Sequence, residues 1–185
     1  MDREIKQIRT MAGDFTARED ESPIIEGRFI SFTSEYQIAP DMKEVISPEL
    51  EIEGDDIRAL VDHETRLVLG RTTAGTLSLE KKSDGVWGTI KVNPNDQDAM
   101  NLYARVQRGD VSQCSFGFSI LKEDTEILDD DTVKWTIKKI RLYEVSVVTF
   151  PAYEDTGVSA RAEEGRQLKV REFEAWKEKM LRRLP

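Results

Sequence analysis

The chain carries one histidine, His63, within Leu60-Val61-Asp62-His63-Glu64-Thr65, so any step that needs an imidazole has a single candidate. Far downstream, Ser112-Gln113-Cys114-Ser115-Phe116-Gly117-Phe118 sets a serine among small and aromatic residues. Further on, Leu142-Tyr143-Glu144-Val145-Ser146-Val147-Val148-Thr149-Phe150-Pro151-Ala152 interrupts a β-type run with one carboxylate. A serine hydroxyl is a weak nucleophile until an imidazole takes its proton, and the imidazole works best when a carboxylate fixes its tautomer. Ser115, His63 and Glu144 are the types that acyl transfer needs as nucleophile, base and orienting acid. Only folding can bring them together.

Each residue also has a plainer reading. His63 could be a surface or satisfied histidine, and Ser115 a strand serine beside a glycine bulge. Glu144 costs several kcal/mol if buried without partners, a need that Lys139, Arg141 or His63 could meet. Cys114 is a rival nucleophile, since a thiolate paired with His63 would be competent. Alternation opposes it: Cys114, Phe116, Phe118 and Ile120 share one strand face, while Gln113, Ser115, Gly117 and Ser119 share the other. On the aromatic side a thiol reads as packing. Ser112, Ser119 and Ser146 read as decoys, and Asp62 and Glu64 point away from the imidazole if their segment is extended.

The elements that must position these groups read mainly as strands. Residues 1–22 are polar and predict a flexible N-terminal arm. From Ile24 to Phe32 β-branched and aromatic residues predict a strand that opens the folded unit. Residues 34–56, with Pro40, Pro48, Gly54 and many acids, predict a long surface connection with short strands at Val45-Ile46 and Leu50-Glu51-Ile52. A strand over 57–63 would end near His63. Segments 75–80 and 86–92 flank Lys82-Ser83-Asp84-Gly85, where Asp-Gly offers the positive φ of a hairpin turn. Asn95 to Asp98 resembles a helix cap, and Met100, Tyr103 and Val106 predict a helix over about 96–108 that stops at Gly109. Strands over 111–121 and 133–150 then flank a turn at Asp129-Asp130-Asp131. The stretch from Glu163 predicts an amphipathic helix packing on the domain or on a dimer mate. The division is an arm at 1–22, a catalytic unit at 23–160 and a charged helix or linker at 161–185.

Composition narrows the function. With 185 residues and 38% hydrophobic content, the chain suits one domain with a core of its own. One cysteine excludes an internal disulfide and a Cys-rich zinc site, and suits a reducing compartment. A formal net charge of −9, with no basic stripe before the tail, argues against nucleic acid as a partner. No signal peptide and no membrane span are read, and no cofactor or metal is expected.

In order, Glu26-Gly27-Arg28-Phe29, His63 followed by Leu69-Gly70-Arg71, Ser115-Phe116-Gly117-Phe118 and Glu144 to Ala152 resemble the prohead maturation proteases of tailed bacteriophages. That family comprises serine peptidases related in fold to the herpesvirus assemblins, and the resemblance spans about residues 24–155. It implies an α+β, mainly β chain forming a small closed or partly closed β-barrel with peripheral helices. It implies His63 as general base, Ser115 as nucleophile and Glu144 as the acidic third member. It also implies self-cleavage, a homodimer, and cleavage of a scaffold protein or the scaffolding segment of the major capsid protein, in the host cytoplasm inside the assembling prohead. Arg71, Arg141 and Arg161 are unassigned candidates for an oxyanion site. The competing function is a non-catalytic β-barrel scaffold or assembly protein in which the same residues only pack.

Overall fold

The computed structural model describes residues 6–19, 23–150 and 156–182, with 156–160 described by backbone alone. Strands β1 (Gln7–Ala12), β2 (Thr16–Glu19), β3 (Pro23–Ser31), β4 (Glu35–Ala39), β5 (Met42–Glu53), β6 (Arg58–Val61), β7 (Glu64–Arg71), β8 (Leu77–Lys82) and β9 (Gly85–Lys91) precede helix α1 (Gln97–Arg108). Two long strands, β10 (Gln113–Ile127) and β11 (Val133–Val148), and helix α2 (Thr156–Leu181) complete the order. One sheet runs β1-β10-β11-β5-β4, with β6 joined to β11 and β7 to β6; the second runs β2-β3-β9-β8. The chain is therefore mainly β with two helices. The expected barrel is not confirmed, because neither hydrogen-bonded ladder closes on itself among the described residues. What joins the sheets is apolar burial: Ile25, Phe29 and Ile90 of the smaller sheet share one buried cluster with Phe116, Phe118 and Val145 of the larger.

The β10–β11 pair is the spine that carries the chemistry. β11 is antiparallel to β10 on one edge; on the other it runs parallel first to β5 and then, over Glu144–Val147, to β6. A strand paired on both edges and covered on both faces reads as a nearly unbroken apolar run. The Asp129–Asp131 turn forms as expected, with Asp131 at φ 64° and the Asp130 carboxylate accepting from Thr132 N at 3.0 Å. Helix α1 also follows its signals. The Asp96 carboxylate accepts from the amides of Asp98 and Ala99, and Gly109 at φ 85° ends the helix. Its buried Ala99, Leu102, Tyr103 and Val106 pack on the main core.

Three expectations change. The segment read as a surface connection forms β4 and the 12-residue strand β5. Met42, Glu44 and Ile46 alternate inward there, and Pro48 falls where pairing with β11 shifts register, the place a strand tolerates a missing amide. The segment read as a flexible arm contributes β1, paired to β10, and β2, paired to β3; residues 1–5 and 20–22 of that arm lie outside the described residues. Apolar content misleads here, because the one buried side chain of β1 is a charged one held by an ion pair: Arg9 Nε lies 2.8 Å from Glu44 Oε1, and Glu44 is fully buried. Finally, the β8–β9 hairpin forms, but its turn residues are Ser83 and Asp84, and Gly85 is not a positive-φ position. Gly85 is small because a Cβ there would collide with the Ile30 carbonyl.

Helix α2 docks at its start. Arg161 and Ala162 are buried against Trp135, Val133, Met42 and Ile38, and the Arg161 guanidinium lies 4.3 Å from the Trp135 ring centroid. A Cβ on Gly165 would come within 2.6 Å of Met42 Sδ, so the close approach needs glycine. From Val170 to Leu181 the apolar side chains Val170, Phe173, Trp176 and Leu181 are exposed.

Candidate active site

His63 sits at the tip of the β6–β7 hairpin. Val61 pairs with Glu64, leaving Asp62 and His63 as the two turn residues, at φ 47° and 62°. Two consecutive left-handed residues are what a tight two-residue hairpin requires, usually met by Asn-Gly or Gly-Gly. Two non-glycine residues there carry strain, of the kind that persists where surroundings fix it. The surroundings are visible: Asp62 N donates to Val147 O at 3.0 Å, and the Asp62 carboxylate accepts from Thr149 N at 2.7 Å and Thr149 Oγ1 at 3.0 Å. Asp62 thus fastens the tip to the end of β11 and leaves the imidazole over the β10–β11 face.

Glu144 meets it there. His63 Nδ1 lies 2.8 Å from Glu144 Oε1, while Ser146 Oγ donates to Glu144 Oε2 at 2.8 Å and stands 3.4 Å from Nδ1. Lys6 Nζ lies 3.2 Å from Glu144 Oε1. Burial pushes the Glu144 carboxyl up, but hydrogen bonds from His63 and Ser146 and the Lys6 charge outweigh it and leave the group below its ordinary value. Ionised, Glu144 can only accept, which assigns the Nδ1 proton to His63 and leaves Nε2 as the basic nitrogen. Nε2 is buried and has no hydrogen-bond partner among the described residues.

Ser115 lies on the same face of the same pair of strands: it stands opposite Ser146, and Gly117 stands opposite Glu144. A Cβ on Gly117 would meet Glu144 Oε1 and Lys6 Cε, so a larger residue there would displace the ends of these two side chains. The Ser115 hydroxyl is fully buried, donating to Arg9 O at 2.9 Å and accepting from Thr10 Oγ1 at 3.1 Å. The structure therefore joins His63 to Glu144 directly and gathers Ser115 onto their face, with the Ser115 proton directed to β1 and no hydrogen bond to His63.

The alternatives resolve by contact. Lys139 pairs with Glu53 and Glu51, and Arg141 with Glu53, so neither serves Glu144. Arg71 is held by Asp56 at 2.6 Å, and Arg161 by Glu123, Glu164 and Glu44, so these arginines are engaged away from the His63 tip. Cys114 is buried, its thiol pushed up to about 12 by burial, and it donates to Arg28 O at 3.1 Å. It is a packing thiol. Ser119 bonds to Tyr143. Ser146, read as a decoy, contacts both Glu144 and His63, and its signal was present: Glu144 and Ser146 are two apart on one strand and share a face. Lys6 and Thr10 had no local signal. Pro151 and Ala152, part of the third motif, lie outside the described residues.

Among the described residues no cluster of three or more His, Cys, Asp or Glu could hold a metal, and no helix is long and apolar enough to cross a membrane. A family model described as caudovirus prohead serine protease matches residues 6–171. The prohead protease of Enterobacteria phage HK97 is 32% identical over 99 residues, covering 54% of this chain and 43% of that protein. The chain thus aligns with less than half the length of this curated relative. No solved structure matches.

Proposed function

The chain belongs to the caudovirus prohead serine protease family, and from that premise we propose that it is a serine endopeptidase acting in prohead maturation, with Ser115 as nucleophile, His63 as base and Glu144 as orienting acid. The observation that carries this reading is the 2.8 Å contact between His63 Nδ1 and Glu144 combined with a buried, unpartnered Nε2 over the face that bears Ser115. In the reaction, Ser115 turns its hydroxyl from Arg9 O toward Nε2. His63 accepts the proton as Oγ attacks a peptide carbonyl, and the imidazolium, held by Glu144, returns that proton to the departing amine. Water then gives a proton to His63 as its oxygen bonds to the acyl carbon, and the imidazolium returns that proton to Ser115 Oγ as the acyl–oxygen bond breaks and the acid departs.

The substrates of this reading are the scaffolding segment of the major capsid protein or a separate scaffold protein, and the chain itself. Its setting is the assembling prohead in the host cytoplasm, with the enzyme as a homodimer. A fold shared with herpesvirus assemblins belongs to the same proposal. Coexpression with the capsid protein of the same phage tests it by product mass. Ser115→Ala and His63→Ala each leave the capsid protein full-length, while Cys114→Ala leaves processing intact. Cleavage that persists in Ser115→Ala overturns the serine mechanism, and a capsid protein left whole by the unmutated chain favours the non-catalytic assembly role.

A further inference from the structure

We propose that Ser146 is a positioning residue of the site, fixing the Glu144 carboxylate and through it the orientation and tautomer of His63. The inference rests on the reading of His63 and Glu144 as base and acid and extends it to a residue outside the triad. A buried carboxylate held by one imidazole could swing about its terminal torsion, which is broad and roughly two-fold. Ser146 Oγ removes that freedom by donating to Oε2 at 2.8 Å while Oε1 faces Nδ1 at 2.8 Å. Both Ser146 and Glu144 lie on β11 with their backbones paired on both edges, so the brace is as rigid as the sheet.

Ser146 is not itself a nucleophile. Its one proton is given to Glu144, and the imidazole nitrogen nearest it is Nδ1, which carries a proton and can accept none. Nor can the other charged groups nearby replace it. Asp62 is turned to Thr149, Glu64 is exposed on β7, and Lys6 approaches the same oxygen as His63, leaving Oε2 to Ser146.

Removing the hydroxyl has two opposed electrostatic effects on His63. Glu144 loses a donor and concentrates its charge toward the imidazolium, while Nδ1 loses a neighbouring oxygen. The first contact, at 2.8 Å, is a full hydrogen bond, and the second, at 3.4 Å, is at the edge of one, so the first governs.

The lone histidine makes this measurable, because one ring Cε1–H resonance in a proton–carbon NMR spectrum of the full chain reports His63 alone. In Ser146→Ala the titration midpoint of that resonance rises by roughly half a unit, the size of one ordinary hydrogen bond. In Glu144→Gln, adding Ser146→Ala moves the midpoint by less than a third of that shift, since the brace has lost the group it acts through. A purely structural role would move the midpoint equally in both backgrounds. A midpoint that stays or falls in Ser146→Ala, or moves as far in the Glu144→Gln background, overturns the proposal. In parallel, the rate at which a fluorophosphonate probe labels Ser115 tests the protease reading. Absence of labelling in the unmutated chain counts against that reading, while the titration still decides the role of Ser146.

Discussion

The Ser115 hydroxyl donates to the carbonyl of Arg9 at 2.9 Å, across the ladder that pairs β1 with β10. A hydroxyl has one proton to give, so the same contact that keeps Ser115 satisfied leaves His63 Nε2 without it. Thr10 completes the arrangement by donating to Ser115 Oγ at 3.1 Å. Thr10→Val keeps the shape and removes that donor, and it should cost about 1 kcal/mol of stability. Urea unfolding followed by tryptophan fluorescence measures the difference, and an unchanged midpoint would show that the contact contributes nothing net.

Glu144 sets which nitrogen of His63 is basic. Glu144→Gln keeps the size of the side chain but offers an amide where the imidazole needs an acceptor, which favours the wrong tautomer. Turnover should fall on the order of 10⁴-fold, as when the equivalent acid is neutralised in other triads. Initial rates of capsid-protein cleavage give the number, and a loss under tenfold would remove Glu144 from the mechanism.

The same carboxyl links stability to pH. Its folded value lies below the ordinary 4.5, so its contribution is fully present above the unfolded value and is lost as pH falls through the folded one. The stability gap between the unmutated chain and Glu144→Gln should therefore narrow progressively as pH falls below 4.5. Denaturant titrations across pH 3–5 test the sign, and a gap that widens below pH 4.5 contradicts it.

Glu44 ties both ends of the chain to the central sheet, with Arg9 of β1 at 2.8 Å and Arg161 of α2 at 3.4 Å. All three are buried, so Glu44→Ala leaves two guanidinium groups without their shared counter-charge and should cost about 3–5 kcal/mol. Replacing the cluster with apolar residues of matching volume should cost far less. A loss below 1 kcal/mol in Glu44→Ala, read by denaturant unfolding, would mean that water reaches the cluster.

Where local chemistry determines an element, the sequence announces it. Asp96 and Gly109 bracket α1, the hairpin around Ser83 and Asp84 forms, and the alternation over 113–120 assigns Cys114 and Ser115 to opposite faces. Where partners far along the chain decide, local reading fails. The Glu44 strand looked like a surface connection because its buried acid is matched by arginines at positions 9 and 161, and β1 looked unburied for the same reason. The identities of His63 and Glu144 were legible as types, but their meeting depends on a left-handed turn with no glycine in it, which no turn signal would suggest. Ser146 reads as a decoy from its type alone, because its contact with Glu144 reflects what the carboxylate needs and not the serine itself.

Parallel pairing of β11 with β6 has a consequence for how the site assembles. Ser115, Glu144 and Ser146 lie on neighbouring strands joined by one turn, a local assembly that can form early. The imidazole must be delivered from 81 residues away by a hairpin that docks alongside. Under the proposed roles, the three groups therefore meet only once the β6–β7 tip has docked beside β11, so peptide hydrolysis awaits the completed tertiary structure.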